Sequence, residues 1–525
     1  MMKHSESSSM CACCSVNRRR FLEASCAACA GATGLLRAGS LARAAEKTKK
    51  TRIRVIYAFQ DLKQVRPDWP NVGFDFRPVI ARIDAKLKED CPEFEFVTAT
   101  VNGAEQAKKI LEQDKALPVD GYLVYQLNNR TRAVRTVLAA GKPTLYADFP
   151  YGGTGRFLSN TARSLRETQP RLGFVSSSDL DDLVAAVKCF HVVEQGGSRE
   201  QFAAAVAQTR RERTPAPGDL SCKPDAPRAL EPKDCLAAMK RGKILAVGRG
   251  RGRLWQAIEE QMGIQVVQVS FAELDAAWRA ADKDQSQEIA DRWQQAARRI
   301  EDVSRETLEA SAAMYLAEKE LLKRHDATGI TIHCLGGFYG GHLHAYPCLG
   351  FHELNNQGMI GGCECDVRSA STMVAMTALA GGRPGFISDP VIDAAKRQII
   401  YAHCVASNRV FGPEGPSNPF EILTHSEDRK GAAVRSIFPT GYMTTTVEFG
   451  PEWKTILFHQ GKAVENVDDD RACRTKLAVE PVGDIEKLFG QWDQWGWHRV
   501  TYYGDLKEPV YALADALGWK VLEEA

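Results

Sequence analysis

MIGGCECDVRSASTMVAMTALAGGRPGFISD, residues 359–389, sets two acids on either side of one helix-forming run. Val367 to Leu379 is rich in Ala, Met, Val and Thr, and Gly381-Gly382 follow it as a stop. Asp366 stands just before the run, where a carboxylate accepts backbone N–H groups as an N-cap. Glu364 has no cap to serve. It ends an apolar run, Met359 to Cys363, that reads as a strand, and a lone charge there is costly unless paired or bound to a cation. Asp389 ends a second such run, Pro384 to Ser388. In parallel sheets ligands collect outside the carboxyl ends of strands, so both acids are expected to face one crevice. A late imidazole, His498 in Trp-His-Arg-Val-Thr-Tyr-Tyr-Gly-Asp (497–505), joins them. Two carboxylates and one imidazole suit an oxygen-loving divalent metal that keeps positions open for a substrate.

Working outward, residues 50 to about 190 alternate β-rich runs (Ile53 to Tyr57, Phe94 to Val101, Gly121 to Tyr125, Pro143 to Tyr146) with helical stretches such as Val79 to Lys88 and Thr131 to Ala140. That alternation predicts βαβ crossovers and a parallel sheet. Five prolines between 210 and 236 mark a connector or exposed excursion. A second α/β unit starts at Lys243 to Val247, and Ile289, Trp293, Ala296, Ile300 and Val303 predict one long helix over 285–323. Beyond it the texture turns β-rich, with strands expected at 442–449, 455–459 and 474–479, and a last strand and helix over 499–517. The expected fold class is α/β, two parallel-sheet domains followed by an α+β C-terminal domain rich in antiparallel strands. Its boundaries fall at 50–195, 196–345 and 346–525.

Other motifs carry less. Gly248-x-Gly250-x-Gly252 follows a strand and opens a helix, but lacks the G-x-G-x-x-G spacing, so it reads as a tight turn. His333, His342, His344 and His352 cluster around a Gly-rich run without firm ligand spacing; His342 is taken as pocket lining. His403 in Tyr401-Ala-His-Cys404 and His425 in His425-Ser-Glu-Asp428 each follow an apolar run and are assigned the same role, with Trp497. The ten cysteines beyond residue 45 show no CxxC pair and read as small buried apolar residues.

Residues 1–45 read as a twin-arginine export signal: Asn17-Arg-Arg-Arg-Phe-Leu-Glu23, a mildly apolar stretch to Leu36, and Ala42-Arg-Ala44 as a cleavage site. Their removal takes six Lys/Arg and two Asp/Glu and turns the formal +2 into −2. A near-neutral chain has no basic excess with which to neutralise phosphates, so no nucleic-acid footprint is expected. A 44% apolar and 26% charged composition is that of a soluble globular protein, with no membrane span expected and a periplasmic destination.

Three passages resemble the L-fucose isomerase-like sugar isomerases, related to L-arabinose isomerases. Leu354 to Asp366 looks like that family's strand–acid–helix passage, Gly382 to Asp389 like the passage bearing its second acid, and Trp497 to Asp505 like its closing His segment. The resemblance covers roughly 350–525. It implies that Glu364, Asp389 and His498 bind a divalent metal, commonly Mn²⁺. It further implies two Rossmann-like domains, a homo-oligomer, a sugar substrate and an aldose–ketose isomerisation, with Glu364 and Asp389 catalytic. Cys365 departs from the pattern, and an export signal is unusual for sugar catabolism. The alternative expectation is an exported, non-catalytic sugar-binding protein on tandem α/β domains.

Overall fold

Short runs of Val, Ile and Tyr, buried on both faces except at the edge strand Glu95–Val101, form the first layer because amphipathic helices between them return the chain to the same sheet edge. The computed structural model describes residues 50–167 and 170–525, so the expected export signal lies outside the described residues. Strands β1 (Arg52–Ala58), β2 (Glu95–Val101), β3 (Gly121–Gln126), β4 (Thr144–Asp148) and β5 (Leu172–Val175) pair in parallel in the order β2-β1-β3-β4-β5. The direction of travel reverses between β1 and β3, so their carboxyl ends open a crevice. Residues 131–140 yield only a short helix, Val134–Leu138.

A second parallel layer holds β6 (Lys243–Val247) and β7 (Gln265–Val269). The chain then departs from the expected long helix. Lys283–Ala296 and Arg305–Arg324 are separate helices, and β8 (Arg299–Glu301) lies between them. Ala297 is extended, Asp302 is left-handed at φ 56°, and the Ser304 side chain caps Thr307 N. These local stops override the apolar spacing, and Ile300 is drawn into strand pairing instead of the helical stripe. β9 (Gly329–Ile332) and β10 (Ile360–Gly362) complete this layer in the order β10-β9-β6-β7.

The remaining strands are β11 (Phe386–Asp393), β12 (Gln398–His403), β13 (Phe420–Leu423), β14 (Ala433–Ser436), β15 (Met443–Gly450), β16 (Thr455–Asn466), β17 (Thr475–Pro481), β18 (Arg499–Tyr503) and β19 (Lys520–Glu523). β15-β18-β11-β12-β17-β16 form an antiparallel sheet that closes through a β15–β16 pairing, so the C-terminal part is a barrel-like sheet. β19 joins β16 in parallel, and β13 pairs with β14 and β8 in a small sheet beside the barrel. The fold class expected from the sequence is therefore the one observed.

The helix Val367–Leu379 lies between the second layer and the barrel, with every residue but Ala378 buried. Arg368 pairs with Glu452, Thr377 meets the Tyr502 hydroxyl at 3.1 Å, and Phe449 N donates to Thr372 Oγ1 at 3.0 Å, which dock the helix on barrel strands. The connector from 214 to 231 has neither helix nor strand and is strapped along the barrel. Its ties are Gly218 N to Glu480 (2.7 Å), Lys223 N to Gly441 O (2.7 Å) and Asp225 to Arg383 Nη2 (2.8 Å). Among the described residues no helix is long and apolar enough to cross a membrane.

Candidate metal centre

The Glu364 turn is built by strain and anchored at both ends. Residues 364 and 365 are left-handed, at φ 61° and 52°, a conformation that costs a non-glycine residue roughly 1–3 kcal/mol unless its surroundings impose it. Cys365 N donates to Ile332 O at 2.9 Å, and Asp366 then caps the next helix through Arg368 N (3.0 Å) and Ser369 N (3.2 Å). Glu364 therefore projects from a turn just past β10, not from a strand end. Asp389 is a larger correction. It lies inside β11, in an antiparallel sheet, so the strand-end argument does not place it.

Barrel register places it. β11 and β18 pair up to Ser388↔Arg499, so Asp389 and His498 come abreast one position past the last pair. On its other side Asp389 pairs with Ala402, which brings His403 next along β12. One ligand atom from each of Glu364, Asp389, His403 and His498 lies within 4.8 Å of the others. His498 Nε2 is 3.5 Å from Asp389 Oδ1 and 3.9 Å from Glu364 Oε2, and the two imidazole rings are 5.4 Å apart. Asp389 Oδ1, His403 Nε2 and His498 Nε2 are all buried without a hydrogen-bond partner. Buried polar atoms are seldom left so, and Asp389 Oδ1 and His498 Nε2, aimed with the Glu364 carboxylate at one point, fit a cation well.

The surroundings set each group's state. His498 Nδ1 bonds Asp366 Oδ2 at 2.9 Å, which leaves Nε2 toward the cluster. Burial alone would lower the His498 pKa, but Asp389, Asp366 and Glu364 outweigh it and push it up to about 10. Burial raises the Asp389 carboxyl well above its usual range, against the pull of His498. The cap reading of Asp366 holds and was incomplete, since the same carboxylate orients the imidazole. His403 is arranged oppositely: Cys404 N donates to its Nδ1 at 2.9 Å, which puts the neutral ring's proton on Nε2.

The other expected pocket residues separate. Trp497 is half-buried against Gly155, whose hypothetical Cβ would sit 1.8 Å from the indole. His425 is buried near the centre, 3.3 Å from Asp428 and packed at a tilt against Tyr346; burial opposes its proton, but Asp428 and Cys404 raise it to about 9. His342 is exposed and stacked on Phe271, outside the cluster, because the Gly-rich run carries it to the surface. Glu427, which the sequence reading passed over beside His425, is half-buried, accepts the Tyr339 hydroxyl at 3.1 Å and is pushed up to about 7 by burial. Its only signal was its place in an acid pair after an apolar strand.

Parallel α/β layers delivering one carboxylate to a barrel that supplies a second carboxylate and two imidazoles define a candidate divalent-metal protein. No family model matches the chain. It is similar to a sulfoquinovose isomerase of Clostridium sp. (strain MSTE9), 25% identical over 242 residues, covering 43% of this chain and 50% of that protein. A sulfoquinovose isomerase of Priestia aryabhattai is 24% identical over 205 residues, covering 38% and 44%. The chain thus spans about half the length of the curated relatives it matches. Among solved structures, a probable maltose operon transcriptional repressor from Staphylococcus aligns with 8% identity over 54% of this chain and 79% of its own, at a TM-score of 0.19, too low to argue from.

Proposed function

We propose that this protein is a metal-dependent aldose–ketose isomerase acting on a sugar or sugar derivative, resembling the L-fucose isomerase-like enzymes. The observation that carries this reading is the convergence of two buried atoms without a hydrogen-bond partner among the described residues, Asp389 Oδ1 and His498 Nε2, with the Glu364 carboxylate. The similarity to sulfoquinovose isomerases supports the same reaction class. Glu364, Asp389 and His498 would hold the cation, and Mn²⁺ suits two carboxylates with one imidazole. When bound, it would stabilise negative charge developing on two adjacent sugar oxygens.

The chain's own residues divide the remaining work. Isomerisation moves a proton between neighbouring carbons through an enediol, which requires a base that reaches the substrate. The Glu364 side chain is 30% exposed and that of Asp389 9%, so Glu364 is the proton carrier and Asp389 mainly a ligand. His403, presenting an N–H, donates to a sugar oxygen. Trp497, adjacent in the chain to His498 and packed against Gly155, belongs to the substrate pocket in this proposal. Export by the twin-arginine route to the periplasm and assembly as a homo-oligomer belong to the same proposal.

The test is metal content of the purified protein together with deuterium uptake from heavy water and ketose formation across a panel of aldoses. Bound Mn²⁺ with solvent exchange at one carbon supports the reading. A protein that binds sugar without metal or exchange is the non-catalytic binder instead.

A further inference from the structure

Beneath Asp366 lies a second acid that the reaction chemistry does not use. Glu448 on β15 is fully buried, and the Ser369 hydroxyl links it to the metal centre. Ser369 Oγ is 2.9 Å from Asp366 Oδ2 and 3.1 Å from Glu448 Oε2. One hydroxyl carries one proton, so it can donate to only one of these carboxyls. The other contact is a hydrogen bond only if that carboxyl brings a proton of its own.

Occupancy decides which one does. Asp366 already receives Arg368 N and Ser369 N on Oδ1 and His498 Nδ1 on Oδ2, which leaves no room for its own hydrogen. Apart from the shared Ser369 hydroxyl, Glu448 accepts among the described residues only from Thr372 Oγ1, at 3.2 Å on Oε1, leaving Oε2 free to carry a proton toward Ser369. The cationic groups whose fields reach Glu448 are committed elsewhere: Arg368 to Glu452 (2.7 Å) and Arg499 to Glu524 (2.7 Å). Asp366 itself repels a second negative charge. On β16, the strand partner of Glu448 is Leu457, which offers no charge.

We propose that Glu448 is a positioning residue: a neutral acid that donates to Ser369, so that Ser369 donates to Asp366 and Asp366 holds His498 with Nε2 toward the metal. The resulting order is Glu448 O–H to Ser369 Oγ, Ser369 O–H to Asp366 Oδ2, and His498 Nδ1–H to the same carboxylate. Burial acts in the same direction, raising the Glu448 carboxyl to about 8. The inference rests on the metal reading above, and two measurements separate their failures.

The first is Mn²⁺ affinity by calorimetry at neutral pH for the wild type, Glu448→Gln, Glu448→Ala and Ser369→Ala. The Gln amide can donate to Ser369 and accept from Thr372, so its affinity should stay within about twofold of wild type. Loss of the chain in either Ala variant should weaken Mn²⁺ binding by about tenfold or more, the usual effect of removing support behind a ligand. If Glu448 is instead an anion, Glu448→Gln weakens binding as much as Ala does, and the proposal falls.

The second is the infrared difference spectrum, wild type minus Glu448→Gln, taken on metal-free protein. A protonated-carboxyl C=O stretch that disappears in the variant is expected; an ionised carboxylate pair of bands in its place overturns the assignment. A wild type that binds no Mn²⁺ sinks the metal reading, while the infrared result still decides Glu448.

Discussion

Asp366 shows how far single residues could be read. Its position before a helix-forming run identified the cap, because capping depends on neighbours in the chain. Its bond to His498 depends on barrel register and was invisible. The same division runs through the site. Glu364, Asp389 and His498 were legible because acids after apolar runs are costly and because the passages resemble a family, although Asp389 sits mid-strand rather than at a strand end. His403 joined the centre, but its motif did not separate it from His425 or His342. For the cluster itself, Glu364→Gln and Asp389→Asn should each lower turnover by at least about a hundredfold, and Asp389→Asn should also lose metal. Metal analysis beside the kinetics checks both, and near-normal turnover in either would remove it from the reaction.

Asp148 supplies a stability test away from the metal. Burial raises its carboxyl from 3.8 to about 7, against the Thr154 and Ser176 hydroxyls that lower it. The folded state therefore holds a proton that the unfolded chain releases above about pH 4. That contribution to stability is intact below the unfolded pKa and is lost as pH rises to about 7, on the order of 4 kcal/mol in all. Asp148→Asn should accordingly melt higher than wild type at pH 8 and close to it at pH 4, as differential scanning calorimetry would record. A wild type whose melting is flat across that range would contradict the protonated assignment.

At the scale of elements, short strands and capped helices were placed correctly where local signals agreed, as for Val367–Leu379. They were misplaced where tertiary pairing won. The apolar spacing through residues 289–303 is real, yet β13 recruits Arg299–Glu301 as a strand partner and divides the helix in two. The helix Thr154–Leu165 offers a test of element packing. Gly155 lets it approach Trp497, next to His498. Alanine in a helix is normally favourable by about 1 kcal/mol over glycine. Here the added methyl would meet the indole, and overpacking costs roughly 1–3 kcal/mol. Gly155→Ala is expected to lower the melting temperature and raise KM more than it changes kcat. A variant both more stable and fully active would show that Trp497 is free to move aside.

On the scale of the whole molecule, alternation in the first half and β-richness in the second conveyed the class of fold. Barrel closure and the strapping of the connector were not legible, since both depend on contacts between distant segments. Export is the property most open to a direct test: replacing Arg18 and Arg19 by lysine should leave the protein in the cytoplasm, which fractionation would show. Unchanged delivery to the periplasm would dismiss the twin-arginine assignment.

Barrel register has one more consequence. Because His498 reaches Asp389 only when β18 docks, the proposed ligand set stays incomplete on a nascent chain until β18 has left the ribosome. On the proposed metal reading, whichever compartment hosts that docking step selects the ion. Copper and zinc bind such donors more tightly than manganese, so a chain that finishes folding where those metals are scarce can keep the weaker binder.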